Sequence, residues 1–359
     1  LLKLRMGIVV APAHVEKWKK DIDSYLGVPE ENVHVVRGAK SIRQIFTLAE
    51  AGEYNFDITL FSLRTLTEFF KQYEISPEDC VDLYGGTPME MWQYSGIGLL
   101  GGDEVHEQFF AVYWMQTFIH GPFHLGLSAT MLHKDLFIES MQKIVYPRSI
   151  RFDKIKMKKY INLVNVGYRF QNFDSDKIKT TFPRMSTYSQ NAFEGSIKKN
   201  KKVLERFLNM IHDCADAYFV KDRLEGDKLG IYLSRIELIN DVVNYLKLKY
   251  PSLDIRRYAE NDEYENVIVS DIRVTTRGSG GTGVDIPGLT TVISVDNVDS
   301  KQASLQLLGR LREIPGREVK FIQLYCSNIK KHKVYKESRD TLFQDRIKGR
   351  TENLYPNYL

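Results

Sequence analysis

Nowhere in these 359 residues does a Gly-x-x-x-x-Gly-Lys-Ser/Thr string occur, so no phosphate-cradling P-loop can be assigned within them. Cysteine is scarce. Cys80, Cys214 and Cys326 stand far apart, fit no metal-ligand spacing, and read as reduced, mostly buried thiols of an intracellular, cytoplasmic protein. No apolar run approaches the ~18 residues that a spanning helix needs, and the opening residues show no signal-peptide pattern. A membrane partner is therefore not expected. No sustained heptad argues for a coiled-coil oligomer, and a monomer is expected. The chain also lacks an initiating Met, so Leu1 is not read as the natural start.

What is present suits a soluble globular protein. Hydrophobic residues make up 43% and charged residues 27%, enough for real cores, and the length allows about two domains. The net charge of +4 hides an asymmetry. Residues 149–202 hold thirteen Lys/Arg against four Asp/Glu. Lys154, Lys156, Lys158 and Lys159 form one group, and Lys198, Lys199, Lys201 and Lys202 another. Such clusters are either a solvated face or a surface that tracks phosphates by displacing counterions.

Strand and helix patterns alternate along both halves. In the first half, strands are expected at Met6–Ala11, Val33–Val36, Phe56–Phe61, Ile97–Gly102 and Phe123–Leu127, with helices at Val15–Tyr25 and Leu63–Tyr73. In the second, strands are expected at Lys228–Leu233, Val267–Val269, Thr291–Ser294 and Val319–Leu324, with helices at Ile236–Tyr250 and Lys301–Leu311. The fold class is α/β, two parallel-sheet domains in tandem: 1–148, then 149–342 with a basic insertion at 149–202. A Tyr-rich flexible tail, 343–359, follows. In such sheets ligands bind beyond the carboxyl ends of the strands, where Asp103, Ser128, Ser234 and the Gly278–Gly283 loop are all expected.

Asp103-Glu104-Val105-His106 follows an apolar strand, and Ser128-Ala129-Thr130 comes 25 residues after Asp103. Adjacent acids at a strand end can divide two tasks, one carboxylate holding Mg²⁺ and the other orienting an attacking water. Paired acids also cap helices, which is the bland alternative. Gly101-Gly102 would let a phosphate or metal shell approach the backbone. Gly278, Gly280, Gly281 and Gly283 form a second flexible loop, able to offer backbone N–H groups to phosphates. Gln306-Leu307-Leu308-Gly309-Arg310 comes later, and an arginine there can neutralise charge developing on a transferred phosphoryl group.

Together these strings resemble the core of a superfamily 2 helicase, over about residues 4 to 330. Asp103 to His106 is similar to motif II and Ser128 to Thr130 to motif III. Ile8 to His14 with Trp18 is similar to motif Ia, and Thr59 to Leu63 to the strand-end motif before motif II. Gly230 to Arg235 matches motif IV, Ser279 to Leu289 motif V, and Gln306 to Arg312 motif VI. The overall flavour is closest to phage-type recombination and branch-migration helicases.

The resemblance implies two RecA-like domains, ATP and Mg²⁺ as cofactors, and a DNA partner, branched or forked, with RNA less favoured. It implies Asp103 as the Mg²⁺ acid, Glu104 as the water-orienting acid, and Gln306 and Arg310 as catalytic. It makes His106, Ser128 and Thr130 coupling residues, and Gly281, Gly283, Asp285 and Arg312 nucleotide contacts. Pro12, His14, Ser62, Ser234, Arg235 and Thr282 would touch nucleic acid, together with Lys198, Lys199, Lys201 and Lys202. Two departures stand out. Motif I would precede Leu1, and position 313, where the family usually places a second arginine, is Glu313. An RNA helicase, or a nucleic-acid binder without ATP turnover, remain the alternatives.

Overall fold

The computed structural model describes residues 4–105, 109–118, 123–128, 135–152, 158–171, 177–183, 186–259, 262, 265–281 and 286–359. The chain divides into two compact units, Leu1–Arg151 and Phe152–Leu359.

In the first unit the elements run β1 (Arg5–Val10), α1 (Val15–Asp21), β2 (Val33–Val36), α2 (Ala39–Glu50), β3 (Ile58–Ser62), α3 (Leu63–Ile75), α4 (Pro77–Tyr84), α5 (Pro88–Ser95), β4 (Ile97–Gly102), α6 (Phe109–Gln116), β5 (Phe123–Gly126) and α7 (Leu136–Val145). The strands form one sheet in the order β2-β3-β1-β4-β5, and every pairing is parallel. A parallel sheet is covered on both faces, which is why its strands read as nearly unbroken apolar runs. Successive side chains alternate between two cores. Val9 and Phe61 join Phe46, Leu66 and Phe70 on one side. Ile8, Val10 and Leu60 join Val15 and Ile22 on the other, with Trp18 packed against them. At the sheet's edge, all four residues of β5 are exposed.

The second unit contains β6 (Ile161–Arg169), α8 (Gln190–Lys199), α9 (Lys201–Ala215), β7 (Lys228–Leu233), α10 (Ile236–Lys249), β8 (Ile255–Tyr258), α11 (Glu265–Val269), β9 (Ile272–Thr276), α12 (Arg277–Gly281), β10 (Leu289–Ser294), α13 (Lys301–Leu308), β11 (Val319–Cys326), α14 (Lys330–Leu342) and β12 (Ile347–Tyr358). Its parallel sheet has the order β12-β6-β11-β10-β7-β9-β8.

Three sequence expectations are corrected here. Residues 149–202 are not an insertion, because they supply the inner strand β6 and the buried face of α8. The 343–359 segment is not a flexible tail. It forms β12 on β6, with Tyr355 and Leu359 buried. As an edge strand it is held chiefly through its backbone and stays polar outside, so its composition resembles a loop. Pro356 falls where the β12–β6 register shifts, a place where a missing N–H is tolerated. Finally, Val267–Val269 lies in α11, and the strand is β9 just beyond it. Three apolar residues are too few to fix a period.

The cysteines are unpaired and buried. Among the described residues no helix is long and apolar enough to cross a membrane.

Candidate functional site: an acidic turn at the carboxyl edge of the first sheet

The turn after β4 is stitched to the strands on either side of it. Asp103 N–H donates to Val9 O at 2.9 Å, Val105 N–H to Leu127 O at 3.1 Å, and Leu127 N–H to Gly102 O at 2.8 Å. Gly102 is required: a Cβ there would lie 2.8 Å from Val105 Cγ1, which folds back over the strand end. Glu104 carries φ 47°, the left-handed region that costs an L-residue roughly 1–2 kcal/mol. It is the one such non-glycine residue among those described. Strain of this kind is retained where the surrounding structure over-determines it, and it clusters at functional sites.

The Asp103 carboxylate is held from α1. His14 and Trp18 are four residues apart, so they share one helical face. Trp18 Nε1–H donates to Asp103 Oδ2 at 2.8 Å. His14 Nδ1 lies 3.7 Å from the same oxygen, with the Asp103 side chain 20% exposed. Burial pushes the Asp103 pKa up, but the nearby His14 imidazole, the Trp18 hydrogen bond and the Glu104 backbone outweigh it, and the net shift is downward. Asp103 is therefore a fixed, ionised carboxylate at neutral pH.

One or two carboxylates with an open side suit Mg²⁺, which completes its shell with waters and substrate phosphates. Among the described residues no group of three or more His, Cys, Asp or Glu side chains is placed to hold a metal by itself. The donor set fits a nucleotide-borne Mg²⁺ better than a caged structural ion.

The structure relocates several expected contacts. His14 and Trp18 face Asp103. Ser62 is 2% exposed, so its hydroxyl is not presented to a ligand; it closes β3 and precedes α3. Pro12 is exposed at the carboxyl end of β1. Ser128 follows the carbonyl that Val105 binds, which brings it to the acidic turn along the chain. His106, Thr130, Thr282, Gly283 and Asp285 lie outside the described residues.

In the second unit, Gln306 lies on α13 and Arg310 just past its end, both half-buried, while Arg312 is exposed. Leu307, Leu308 and Leu311 anchor this segment in the core. Glu313 pairs with Lys158 at 2.6 Å. Gly281 ends α12. Ser234 and Arg235 stand at the carboxyl end of β7.

Two buried acids hold these motifs in place, and neither was picked out from sequence. Asp296, after β10, takes a salt bridge from Arg277 at the start of α12, and its backbone carbonyl accepts from Arg339 Nη2 at 2.8 Å. Arg277 Nη1 also reaches Ser304 Oγ on α13 at 3.4 Å. Burial would raise the Asp296 pKa, yet the two arginines hold it low. Glu194 on α8 accepts from Ser234 N–H at 3.0 Å and from Arg235 N–H at 2.7 Å, capping α10 from another helix. Burial raises the Glu194 pKa to about 7 against those donors. Asp296 carried a usable signal, an acid directly after an apolar strand. Glu194 carried none.

Two units, each a parallel sheet with helices packed against it, are RecA-like α/β domains. No family model and no curated protein matches the sequence. Solved structures do. S. cerevisiae Dbp5 bound to RNA and ADP BeF3 is similar with a TM-score of 0.54 and 10% identity, over 98% of this chain and 77% of that one. Mss116p bound to ssRNA and AMP-PNP gives 0.54 and 11%, over 99% and 65%. A fragment assigned to the HsdR subunit of a type I restriction enzyme from Vibrio vulnificus YJ016 gives 0.55 and 16%; the match covers 98% of this chain and 57% of that fragment. At these identities the likeness establishes the fold.

Proposed function

We propose that the chain belongs to an ATP-dependent nucleic-acid translocase of the helicase type, with DNA as its preferred track and recombination, branch migration or fork remodelling as its setting. The observation that carries this reading is the Asp103–Glu104 turn. An ionised carboxylate is fixed by Trp18, and the next acid is held in a left-handed backbone at the carboxyl edge of a parallel sheet. Motif order along the chain supports a nucleic-acid translocase, as does a fold shared with proteins whose structures hold RNA and nucleotides.

Bound MgATP would supply the phosphoryl group and the metal's charge. Asp103 would hold the metal's water shell, and Glu104 would orient the attacking water and take its proton. Gln306 and Arg310 would act on the phosphoryl group, with Gly281, Gly283, Asp285 and Arg312 as nucleotide contacts. His106, Ser128 and Thr130 would pass the nucleotide state to the nucleic-acid surface. Pro12, Ser234, Arg235 and Thr282 would contact that nucleic acid.

The test is Glu104→Gln in the complete gene product. ATP turnover falls by at least 10²-fold while nucleotide binding persists. Turnover within threefold of wild type, on the order of 0.6 kcal/mol of barrier, removes Glu104 from the mechanism.

A further inference from the structure

A groove of about 910 Å³ opens in the second unit between the 177–183 segment, the solvent face of α8 and the start of α10. It is a built feature. Ser196 Oγ accepts Lys179 N–H at 3.1 Å, and Ser189 N–H donates to Thr180 O at 2.7 Å, so the segment is pinned along α8. The bare backbone of Gly195 lets Arg235 lie against the helix: a Cβ at that position would come 2.8 Å from Arg235 Nη1. Lys177, Lys179, Lys199 and Lys201 line the groove with Arg235, and the exposed ring of Phe182 stands among them. Glu237, paired with Arg235, is the acid in the lining. Lys198 also lines it, but its ammonium is spent on Asp241 at 2.6 Å and on the Glu237 carbonyl.

We infer that this groove grips one unpaired strand of nucleic acid, its phosphates on Lys179, Lys199, Lys201 and Arg235 and one base stacked on Phe182. The inference deepens the proposed function and rests on it for the choice of nucleic acid. Concavity and the aromatic ring select the single strand. A duplex presents phosphates on a convex surface with its bases stacked inside, whereas an unpaired base can turn onto a ring. A flat anionic membrane would not enter such a groove.

The test needs no ATP. Fluorescence anisotropy of the chain is read against a ~12-nucleotide oligo-dT, a duplex of equal length, and vesicles containing phosphatidylserine, over a salt series. Single strands should bind more tightly than the duplex, and vesicles should not bind. Phe182→Ala should weaken single-strand binding about tenfold at every salt concentration, as removal of one stacking ring predicts. Its salt slope should not change. Lys199→Ala with Lys201→Ala should flatten that slope by roughly 0.7 for each phosphate no longer neutralised, and Lys198→Ala should change it least. All these side chains but Lys198 are exposed, and circular dichroism checks that each variant folds. Unchanged binding in both the Phe182 variant and the lysine pair overturns the groove. So does duplex binding that equals single-strand binding, or a preference for vesicles. Since ATP is absent, a null result at Glu104 would leave the groove standing. Conversely, a groove without effect would leave a DNA-stimulated ATPase intact.

Discussion

Asp103 owes its charge to its neighbours. A half-buried carboxylate drifts toward protonation unless donors favour the anion, and the indole N–H of Trp18 is the shorter of its two side-chain contacts. Trp18→Phe keeps the packing against Val15 and Ile22 but removes that donor, so the Asp103 pKa must rise. Because the proposed role needs the ionised form, the acid limb of the turnover–pH profile should move upward. A profile that superimposes on wild type would mean that Trp18 only packs. Glu194 presents the opposite sign. Its folded pKa, about 7, exceeds that of a free glutamate, so its stabilising contribution is complete below about pH 4.5 and is lost as pH rises toward 7. Chemical denaturation should show the second unit losing up to roughly 3 kcal/mol across that window, and Glu194→Gln should flatten the loss. Equal pH slopes in both proteins would contradict the assignment. The acids of the turn were legible in sequence because they follow an apolar strand. Glu194 was not, since a glutamate in a basic amphipathic helix looks like any solvated charge until Ser234 and Arg235 arrive from 40 residues away.

At the scale of elements, most of the strands that sequence revealed are the buried ones, the exposed edge strand β5 apart. β1, β3, β4, β7, β10 and β11 are short apolar runs bounded by turn residues, and both faces of a parallel sheet demand that composition. β6 was hidden behind the basic charge around it, although Ile161, Leu163, Val164, Val166 and Tyr168 are all buried. β12 was hidden for the opposite reason, because an edge strand needs few apolar residues. Those few matter. Tyr355 is buried with its hydroxyl donating to Asp213 Oδ2 at 2.7 Å, and Leu359 is fully enclosed. Removing Ile347–Leu359 should cost the second unit at least about 3 kcal/mol from these two side chains alone. It should also promote association through the uncovered edge of β6. An unfolding free energy from urea titration within about 0.5 kcal/mol of the intact chain's would show that β12 is ornamental.

For the molecule as a whole, the two units differ in how their sheets are assembled along the chain. The first draws all its strands from one stretch of about a domain's length. The second opens with β6, whose neighbours are β11 and β12, the last two strands of the chain. Asn165 on β6 meets Asp340 across 175 residues of sequence. During synthesis β6 therefore leaves the ribosome early and waits for both partners. At ~5–20 residues per second that wait is on the order of ten seconds or more. For that interval an apolar strand has no sheet to join, and the cations that bound it, Lys158 and Lys159 before it and Arg169 at its end, discourage edge-to-edge pairing. The positive charge around β6 thus has a second use, as a solubilising guard on a nascent chain whose sheet cannot close until translation of its last strands.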